Sequence, residues 1–582
     1  MLPELLSHIL NENPVICHHE RITPMNILLI AISAKYIHSN PAVFSLKACT
    51  GEYSDLVNIL EFTINQQPSF LLQEIYKKRP DVIAFSCYIW NRTLLDGLIP
   101  DLHQILPDAD IWAGGPEVSY DAPQVIRNWQ LRGVMTGAGE GSFYRLVSAY
   151  AKGTAASLPA ILRQEDAPRI TLAQIPFWQE SIPDLSSRII YYESSRGCPF
   201  SCSYCLSSIE KTMDFRPASQ VCRELDFFLE RRVLQVKFTD RTFNCKKAHA
   251  LPILSHILEH DNGITNFHFE ISADLLDGDY FALLRQMRPG AVQLEIGVQS
   301  VCARTITEIG RSMDFDRVSQ AVRLIHSWNN IHIHLDLIAG LPFEDFHTFE
   351  HSFNEVYALQ PQQLQLGFLK VLKGSDMERQ AAGYGLCHTS LPPYEVLCTR
   401  WLSYEDICRL KQVEAVLETY YNSGQFAHAL AYLERFFDTP FSMYESLGRW
   451  HEAHGCTGIQ PSRLRKYEIL LEFGTGCADS LAAFKERLVY DLYLREHMKN
   501  RPGFAPSLDK WKNTIHDILQ EEARMHAWFP ELAACNYRAL VKALHAEVFE
   551  TIFEKPSVVL FCYETRSPLT HNCMTRIIPL AE

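Results

Sequence analysis

Three cysteines near the middle of the chain have a spacing that suits an iron–sulfur cluster. Cys198, Cys202 and Cys205 lie within eight residues, in the segment RGCPFSCSYCLSS. Thiolates are the ligands that iron–sulfur chemistry needs, and three of them can hold three irons of a [4Fe-4S] cluster. The fourth iron would then be open to chelation by a small molecule. The spacing therefore favours a cluster that does chemistry, with two alternatives left open: three structural cysteines in a loop, and a three-cysteine zinc site.

These cysteines follow the first strand of a repeating pattern of strands and helices. Six strand-like segments, each followed by a helical stretch, are IIYYESS, LQVKFTD, NFHFEIS, VQLEIGV, HIHLDLIAG and LQLGFLKVL. Six such units in a row favour a parallel barrel, and six rather than eight favours a partial (β/α)6 TIM barrel that is open on one side. We assign this barrel to residues 188–390.

Residues 26–152 alternate in the same way. NILLIAIS, VNILEF, DVIAFSCY, DIWAGG and GVMTGAG are predicted to form five strands of a parallel sheet, in a flavodoxin-like or Rossmann-like fold. Small or polar residues stand at the carboxyl ends of three of these strands, the edge at which open α/β sheets bind ligands. The candidate ligand-binding residues are Ser86, Gly114, Gly115, Gly137, Gly139 and Glu140.

The rest of the chain completes an α/β multidomain fold. Residues 1–25 form an N-terminal extension, and residues 153–187, with four prolines, are predicted to be an extended linker. From 391 to 582 apolar residues recur at helical spacing, including the segment YRALVKALHAEVFETIFE, before a strand-like VVLFCYE. We therefore expect a mainly helical C-terminal domain.

Composition excludes several classes of protein. The 582 residues are 47% hydrophobic and 21% charged, as expected of a globular chain. A net charge of −14 without a basic run argues against nucleic acid or a membrane surface as the partner. The longest apolar run, residues 27–33, is too short to span a bilayer, and no targeting segment is evident. Seventeen scattered cysteines are typical of a reducing compartment, so we expect a cytoplasmic protein.

The segment YYESSRGCPFSCSYCLSS resembles the cluster loop of the radical S-adenosylmethionine (SAM) enzymes, which also follows the first barrel strand. LEIGVQS and LDLIAGLP resemble the ribose-contacting strands of the branch that includes anaerobic coproporphyrinogen oxidase, the methylthiotransferases and the cobalamin-dependent members. The resemblance implies that the three cysteines hold a [4Fe-4S] cluster and that SAM chelates its open iron. The implied SAM-binding residues are Tyr204, Asp240, Glu270, Gln299, Arg311 and Asp336.

The resemblance also implies what these residues do. Tyr204 would pack near the adenine, and Gln299 and Asp336 would contact the ribose hydroxyls. Arg311 would hold the SAM carboxylate, because a planar guanidinium suits a planar anion. Glu270 matches a further polar position on the third strand. The family's second strand often ends in a GGE-like turn that takes the SAM amino group, whereas this chain has KFTDRTFN, in which Asp240 supplies a carboxylate without the glycines.

The first domain resembles the cobalamin-binding domain that precedes the barrel in cobalamin-dependent radical SAM proteins. The similarity lies in ISAKYIHSNPAV, AFSCYIWN, AGGPE and TGAGEGS, whose glycines let a corrinoid approach the backbone closely. Many cobalamin domains carry an Asp-x-His-x-x-Gly loop, but the matching loop here has His38 without the aspartate or the glycine. We therefore expect cobalt without a histidine as its lower ligand.

Together these resemblances imply a cobalamin-dependent radical SAM enzyme. It would cleave SAM reductively to a 5'-deoxyadenosyl radical, abstract hydrogen from a substrate and transfer a methyl group from methylcobalamin. The alternatives are a cyclase or rearrangement enzyme without methyl transfer, and a non-catalytic corrinoid or redox sensor. The small-molecule or peptide substrate is not identified, no catalytic residue is assigned, and a flavodoxin or ferredoxin is the expected reductant.

Overall fold

The computed structural model describes residues 25–209 and 211–580. The chain divides into two compact units. Of the described residues, the first unit contains 25–35 and 42–170, and the second contains 36–41 and those from Thr171 to Leu580.

The first unit is a parallel sheet covered by helices. Its strands are β1 (Ile27–Ser33), β2 (Val57–Thr63), β3 (Val82–Ser86), β4 (Asp110–Gly114), β5 (Gly133–Thr136) and β6 (Ile161–Arg163). They lie in the order β2-β1-β3-β4-β5-β6, and all pairings are parallel. The central strands β1 and β3 are buried throughout, and the edge strand β2 is partly exposed. This order confirms the flavodoxin-like prediction.

The helices of this unit connect the strands in sequence. They are α1 (Pro41–Ala48), α2 (Pro68–Lys78), α3 (Arg92–Ile105), α4 (Pro116–Ser119), α5 (Ala122–Trp129) and α6 (Gly139–Ala151). The sixth strand corrects the prediction of five, because β6 lies inside the segment expected to be a linker and pairs with β5. A three-residue strand is too short to produce a hydrophobic period.

The second unit begins with an open barrel. Its parallel strands are β7 (Ile189–Tyr192), β10 (Gln235–Phe238), β11 (Asn266–Ile271), β12 (Val292–Gln299), β13 (His332–Ala339) and β14 (Gln363–Phe368). They lie in the order β14-β13-β12-β11-β10-β7, so β7 and β14 form the two edges. The six predicted strands and the open side are confirmed. Between β7 and β10 a short antiparallel ribbon forms from β8 (Ser195–Arg196) and β9 (Asp214–Phe215).

Helices follow the barrel strands, and a hairpin follows the last of them. The helices are α7 (Ala218–Glu230), α8 (Lys247–Glu259), α9 (Gly278–Leu284), α10 (Ala303–Glu308), α11 (Phe315–Trp328), α12 (Phe346–Tyr357) and α13 (Asp376–Gln380). The hairpin consists of β15 (Cys387–His388) and β16 (Val396–Cys398).

The C-terminal region is helical and ends in a small sheet. Its helices are α14 (Tyr404–Val416), α15 (Ala427–Leu433), α16 (Pro440–Ala453), α17 (Arg463–Thr475), α18 (Leu481–Arg495), α19 (Lys512–Gln520), α20 (Glu522–Trp528) and α21 (Tyr537–Ala543). An antiparallel sheet follows, made of β17 (Leu544–Phe549), β18 (Ser557–Arg566) and β19 (Cys573–Pro579). No helix in the described part of the chain has the length and apolar composition of a membrane span.

The strand β17 corrects the prediction of a helix through YRALVKALHAEVFETIFE. The first half of that segment is helical, but from Leu544 it pairs with β18, which is buried from Ser557 to Cys562. A partner strand with this much buried apolar surface decides the structure of a segment whose own preference is ambiguous.

Candidate functional site

The three cysteines lie in a loop that the ribbon β8–β9 closes. Pairing of Ser195 with Phe215 brings together the two ends of the segment that contains them. Gly197 opens the loop with a φ of +94°, and a Cβ at this position would lie 2.7 Å from the Thr212 carbonyl oxygen, so the turn requires glycine. Cys202 is buried, Cys198 and Cys205 are half-buried, and all three are free thiols.

Asp240 anchors the start of this loop from the end of β10. Its Oδ1 accepts a hydrogen bond from the Ser194 backbone N–H at 2.8 Å, and its Oδ2 accepts from the Ser194 and Ser195 hydroxyls, both at 2.6 Å. His249 Nε2 lies 2.9 Å from the Ser194 Oγ on the other side. Burial raises the pKa of Asp240 to about 6 and lowers that of His249 to about 4.

These contacts revise the expectation that Asp240 holds the SAM amino group. The residue is 0% exposed, and both carboxylate oxygens already have donors on the cysteine loop. Its geometry suits a positioning residue that fixes where the loop leaves β7. The sequence gives no sign of this, because the direction of a side chain at a strand end depends on its partners.

Two further residues next to the loop were not singled out in the sequence. Thr242 Oγ1 lies 3.7 Å from Cys198 Sγ. Cys245 follows in the same segment, and burial, then the nearby Asp240 and Cys198, raise its pKa to about 11. The pattern TFNC, soon after the second barrel strand, is the sequence signal that points to Cys245.

Arg311 reaches the cysteine loop from beyond β12. Its Nη1 donates to Cys202 Sγ at 3.7 Å, and its Nη2 donates to the Gly297 carbonyl oxygen. Tyr204 lies beside both groups, and burial raises its pKa against the opposing effect of Arg311. The structure thus brings Tyr204, Arg311 and Cys202 together, and their roles in a shared SAM site stay predictions.

Gln299 and Asp336 present polar atoms without a hydrogen bond on neighbouring strands. Gln299, at the end of β12, has a φ of 73°, and its Oε1 is buried without a hydrogen-bond partner. Asp336 Oδ1 on β13 is likewise buried without a hydrogen bond, with His334 Nε2 as an ion-pair contact at 2.8 Å, and the Nε of Arg311 is also buried without a hydrogen bond. Because a buried polar atom without a partner is costly, these atoms are those that a polar ligand would satisfy.

Gly297 makes this convergence possible. It pairs with Asp336 across β12 and β13, and a Cβ added to it would lie 2.3 Å from Gln299 Nε2 and 3.5 Å from Arg311 Nη2. Both side chains fold over the bare backbone of this glycine. The segment GVQS resembles a ribose-contacting strand, but the sequence alone does not indicate that Gly297 is required there.

Charged side chains fill the barrel interior below these residues. Glu295 Oε2 lies 2.9 Å from Lys237 Nζ and 2.9 Å from His268 Nε2, and His334 Nε2 lies 2.8 Å from Asp336 Oδ1. Burial opposes ionisation of Glu295, but the close approach of His268 and Lys237 holds its pKa below the usual range. Burial raises the pKa of Asp336.

The ligand atoms of Glu295, His334 and Asp336 also lie within 4.8 Å of one another, a spacing that a metal ion requires. Lys237 already donates a hydrogen bond to Glu295, so the negative charge of Glu295 is neutralised without a metal ion.

Glu270, the remaining SAM candidate, lies on β11 with 26% of its side chain exposed, and its Oε2 lies 4.0 Å from Arg241 Nη1. Burial raises the pKa of Glu270 to about 7.

In the first unit, the predicted ligand-binding residues do lie at the carboxyl ends of β3, β4 and β5. Ser86 is buried and its Oγ donates to the Ile30 carbonyl oxygen at 3.3 Å, while Glu140 is buried and accepts from Ser45 Oγ at 3.2 Å. Both polar side chains therefore have partners inside the unit.

The glycines at this edge are needed by the fold itself. A Cβ on Gly115, where φ is +111°, would lie 2.4 Å from the Cys87 carbonyl oxygen, and one on Gly137 would lie 2.6 Å from Gln164 Oε1. A Cβ on Gly139 would come within 3.0 Å of a Leu46 methyl, whereas one on Gly114 would make only ordinary contact with Met135. Room for a corrinoid is thus not the only reason for these glycines.

His38 belongs to the second unit. Its Nδ1 and the Tyr191 hydroxyl form a hydrogen bond of 2.8 Å, and its backbone pairs with Ile189 at the start of β7. These contacts attach His38 to the first barrel strand, and the absence of a histidine ligand to cobalt stays a prediction.

Three family models match successive parts of the chain. The B12 binding domain matches residues 27–147, the radical SAM superfamily matches residues 192–356, and a protein family of unknown function, DUF4080, matches residues 382–561. The first two correspond to the parallel sheet and to the open barrel with its cysteine loop. The chain therefore contains a B12 binding domain followed by a radical SAM domain.

Relatives of this radical SAM protein carry out more than one reaction. It is 20% identical over 331 residues to the anaerobic magnesium-protoporphyrin IX monomethyl ester cyclase of Rubrivivax gelatinosus, covering 52% of this chain and 59% of that protein. It is 24% identical over 338 residues to the cobalamin-dependent radical SAM methyltransferase TokK of Streptomyces tokunonensis, covering 50% and 47%. The chain thus spans about half the length of these two relatives.

A solved structure supports the fold of this radical SAM protein. The radical SAM methyltransferase TsrM from Kitasatospora setae, with cobalamin and a [4Fe-4S] cluster bound, superposes with a TM-score of 0.54 at 15% identity. The match covers 78% of this chain and 100% of TsrM. At this level of identity the similarity concerns the fold.

Proposed function

We propose that this protein is an enzyme that uses SAM, a [4Fe-4S] cluster and cobalamin to methylate a small-molecule or peptide substrate. The observation that carries the proposal is the convergence of buried polar atoms of Gln299, Arg311 and Asp336 that have no hydrogen bond, with Arg311 also in contact with Cys202. Such an arrangement fits a polar ligand held next to a cluster.

The residues present fit the three cofactors. Cys198, Cys202 and Cys205 would hold the cluster, and Arg311 would bind the SAM carboxylate beside it. Gln299 Oε1 and Asp336 Oδ1 would accept hydrogen bonds from the ribose hydroxyls, and Tyr204 and Glu270 would complete the SAM site. When bound, these cofactors supply a 5'-deoxyadenosyl radical and a transferable methyl group. The protein orients the groups and excludes water from them.

The cleavage of SAM tests this proposal first. Anaerobically reconstituted protein with a chemical reductant should bind about four irons and form 5'-deoxyadenosine from SAM. The variant with alanine at Cys198, Cys202 and Cys205 should bind almost no iron and form none. Cys245→Ser is the matched control and should keep its iron, although Cys245 lies near Cys198. Iron retained in the triple variant would place the cluster elsewhere, and iron-loaded protein that forms no 5'-deoxyadenosine would favour the sensor alternative.

The Rubrivivax relative favours a second candidate, a cyclase or rearrangement enzyme that contains cobalamin but transfers no methyl group. SAM with a deuterated methyl group distinguishes the two. A methyltransferase gives a product that carries the deuterated methyl, whereas a cyclase gives 5'-deoxyadenosine and an unlabelled product. Because no substrate is identified, the assay starts from anaerobic extracts of small molecules and peptides.

We infer that cobalamin binds at the carboxyl edge of the sheet in the first unit, at Ser86, Gly114, Gly115, Gly137, Gly139 and Glu140. Hydroxocobalamin is the probe. His38→Ala should leave the cobalt spectrum unchanged, because His38 is hydrogen-bonded to Tyr191. A clear spectral change in that variant would make His38 a cobalt ligand.

We further infer that a flavodoxin or ferredoxin supplies the electron and that the protein works in the cytoplasm. Every cysteine in the described residues is a free thiol, in keeping with a reducing compartment. The net charge of −14 supports a partner other than nucleic acid or an anionic membrane. Substitution of a purified flavodoxin for the chemical reductant in the cleavage assay tests the first inference.

A further inference from the structure

Two cysteines face each other in the hairpin that follows the barrel. Cys387 on β15 is directly opposite Cys398 on the antiparallel strand β16. Directly opposed residues of such a pair project from the same face, with Cα atoms roughly 4.5 to 5.5 Å apart. Disulfides span Cα separations of about 4.4 to 6.8 Å. The backbone is therefore already arranged for a bond between the two sulfurs.

The two thiols differ in access. Cys387 is exposed, whereas Cys398 is half-buried, and neither is part of a disulfide. Burial, together with a hydrogen bond to the Cys387 thiol, raises the pKa of Cys398. A thiol reagent in solution therefore meets Cys387 first, with Cys398 within contact distance behind it.

The hairpin lies on the ends of two barrel strands. The Val396 N–H donates to the Leu369 carbonyl oxygen at 2.9 Å, just beyond β14. A Cβ on Gly340, just beyond β13, would lie 2.8 Å from a Val396 methyl, so the hairpin packs directly on that glycine. Any bond that stiffens the hairpin therefore acts at the carboxyl ends of β13 and β14.

We propose that Cys387 and Cys398 form a redox-active dithiol that closes to a disulfide in the presence of a low-molecular-weight disulfide such as oxidised glutathione. The Cys387 thiolate attacks one glutathione sulfur, a mixed disulfide forms, and the first glutathione thiolate leaves. The Cys398 thiolate then attacks the Cys387 sulfur and releases the second glutathione. The two protein thiols are oxidised, one glutathione disulfide is reduced to two thiols, and the two thiol protons pass to the glutathione thiolates.

This modification site is independent of the proposed function. Its closure links two strands that a short turn connects, and it removes conformational freedom from the hairpin. We expect the amides of residues 386–399 to exchange more slowly with solvent in the disulfide form.

Peptide mapping of the full-length, cluster-loaded protein tests the proposal. After anaerobic incubation with oxidised glutathione, free thiols are alkylated and the protein is cut with trypsin, which leaves both cysteines in the peptide 380–400. A further cut after Glu395 separates them unless a disulfide joins the halves. The linked form should exceed the mixed glutathione adduct by about tenfold or more, since the second thiol reacts intramolecularly.

Variants make the result specific. Cys398→Ser should accumulate the glutathione adduct on Cys387, and Cys408→Ser, which changes a half-buried cysteine of α14, should behave as the parent. Recovery of both thiols in alkylated form from the parent, or a persistent adduct on Cys387 beside a free Cys398, would overturn the proposal. These two outcomes are measured on the parent protein, so they decide the proposal even where a serine variant fails to fold.

Discussion

Replacement of Asp240 with alanine is expected to loosen the cluster loop. The carboxylate accepts hydrogen bonds from the Ser194 N–H and from the hydroxyls of Ser194 and Ser195, within a site that is 0% exposed. The alanine variant leaves the buried Ser194 N–H without an acceptor. The Ser194 hydroxyl keeps a partner in His249 Nε2, so the backbone amide carries most of the loss.

The magnitude follows from the number of donors left unpaired. An unsatisfied buried donor costs about 1 to 3 kcal/mol, and a hydrogen bond to a charged group contributes about 1.5 to 3 kcal/mol. With one amide unpaired and two hydroxyls forced to reorient, we expect about 3 kcal/mol, or roughly 150-fold in favour of a displaced loop. Cys198, four residues after Ser194, would be displaced with it.

The assay is the rate at which an iron chelator removes the cluster under anaerobic conditions. Asp240→Ala should lose iron up to about two orders of magnitude faster than the parent, in line with the loop equilibrium. Asp226→Ala is the matched control, because Asp226 lies on α7 with 41% of its side chain exposed and its carboxylate lies 2.7 Å from His256 on α8. Unchanged chelation together with weakened SAM binding in the Asp240 variant would refute this reasoning and restore Asp240 to the SAM site.

Three further outcomes are expected. Gly297→Ala should weaken SAM binding by roughly tenfold or more without loss of iron, since a Cβ there would lie 2.3 Å from the Gln299 side-chain nitrogen. Gly367→Ala is the control, because its Cβ would lie 3.4 Å from a carbonyl oxygen, and it should bind SAM as the parent does. Equilibrium dialysis measures SAM binding by both variants. Gly115→Ala should destabilise the protein by about 3 kcal/mol and Gly114→Ala by less than about 1 kcal/mol, as followed by thermal unfolding. The Asp240 carboxyl, whose pKa rises from 3.8 to about 6 on folding, stabilises the fold below pH 4 and loses this effect as the pH rises through 6. The free energy of unfolding of the parent, relative to that of the alanine variant, should therefore fall by about 3 kcal/mol across this window.

The parts of the fold that were predicted from sequence are those with long apolar runs. All six barrel strands and the first five strands of the N-terminal sheet have four or more residues, long enough for an apolar run or an alternating pattern to reveal them. The strand β6 was missed because its three residues carry no period, and β17 was taken for a helix because its partner β18 lies outside the segment itself. Local pattern fails where a distant strand decides the structure.

The candidate site shows a similar limit. Motifs identified the residue types at Gln299, Arg311 and Asp336, and their roles in SAM binding stay predictions. The sequence did not reveal that Asp240 turns toward Ser194, because only the folded loop brings the two together. It did not reveal the need for Gly297 either, since that need arises from two side chains that fold over it.

The charged interior of the barrel argues that this space holds a ligand. Barrel interiors are usually filled by layers of branched apolar residues, yet here Lys237, Glu295 and His334 occupy the space below Asp336. Buried charges cost stability unless each has its partners, and Glu295 Oε2 contacts both Lys237 and His268, whereas Asp336 Oδ1 contacts His334 and has no hydrogen bond. A donor from a bound ligand, such as a ribose hydroxyl, would complete the set. We therefore expect SAM to bind beside Asp336, at the top of this network.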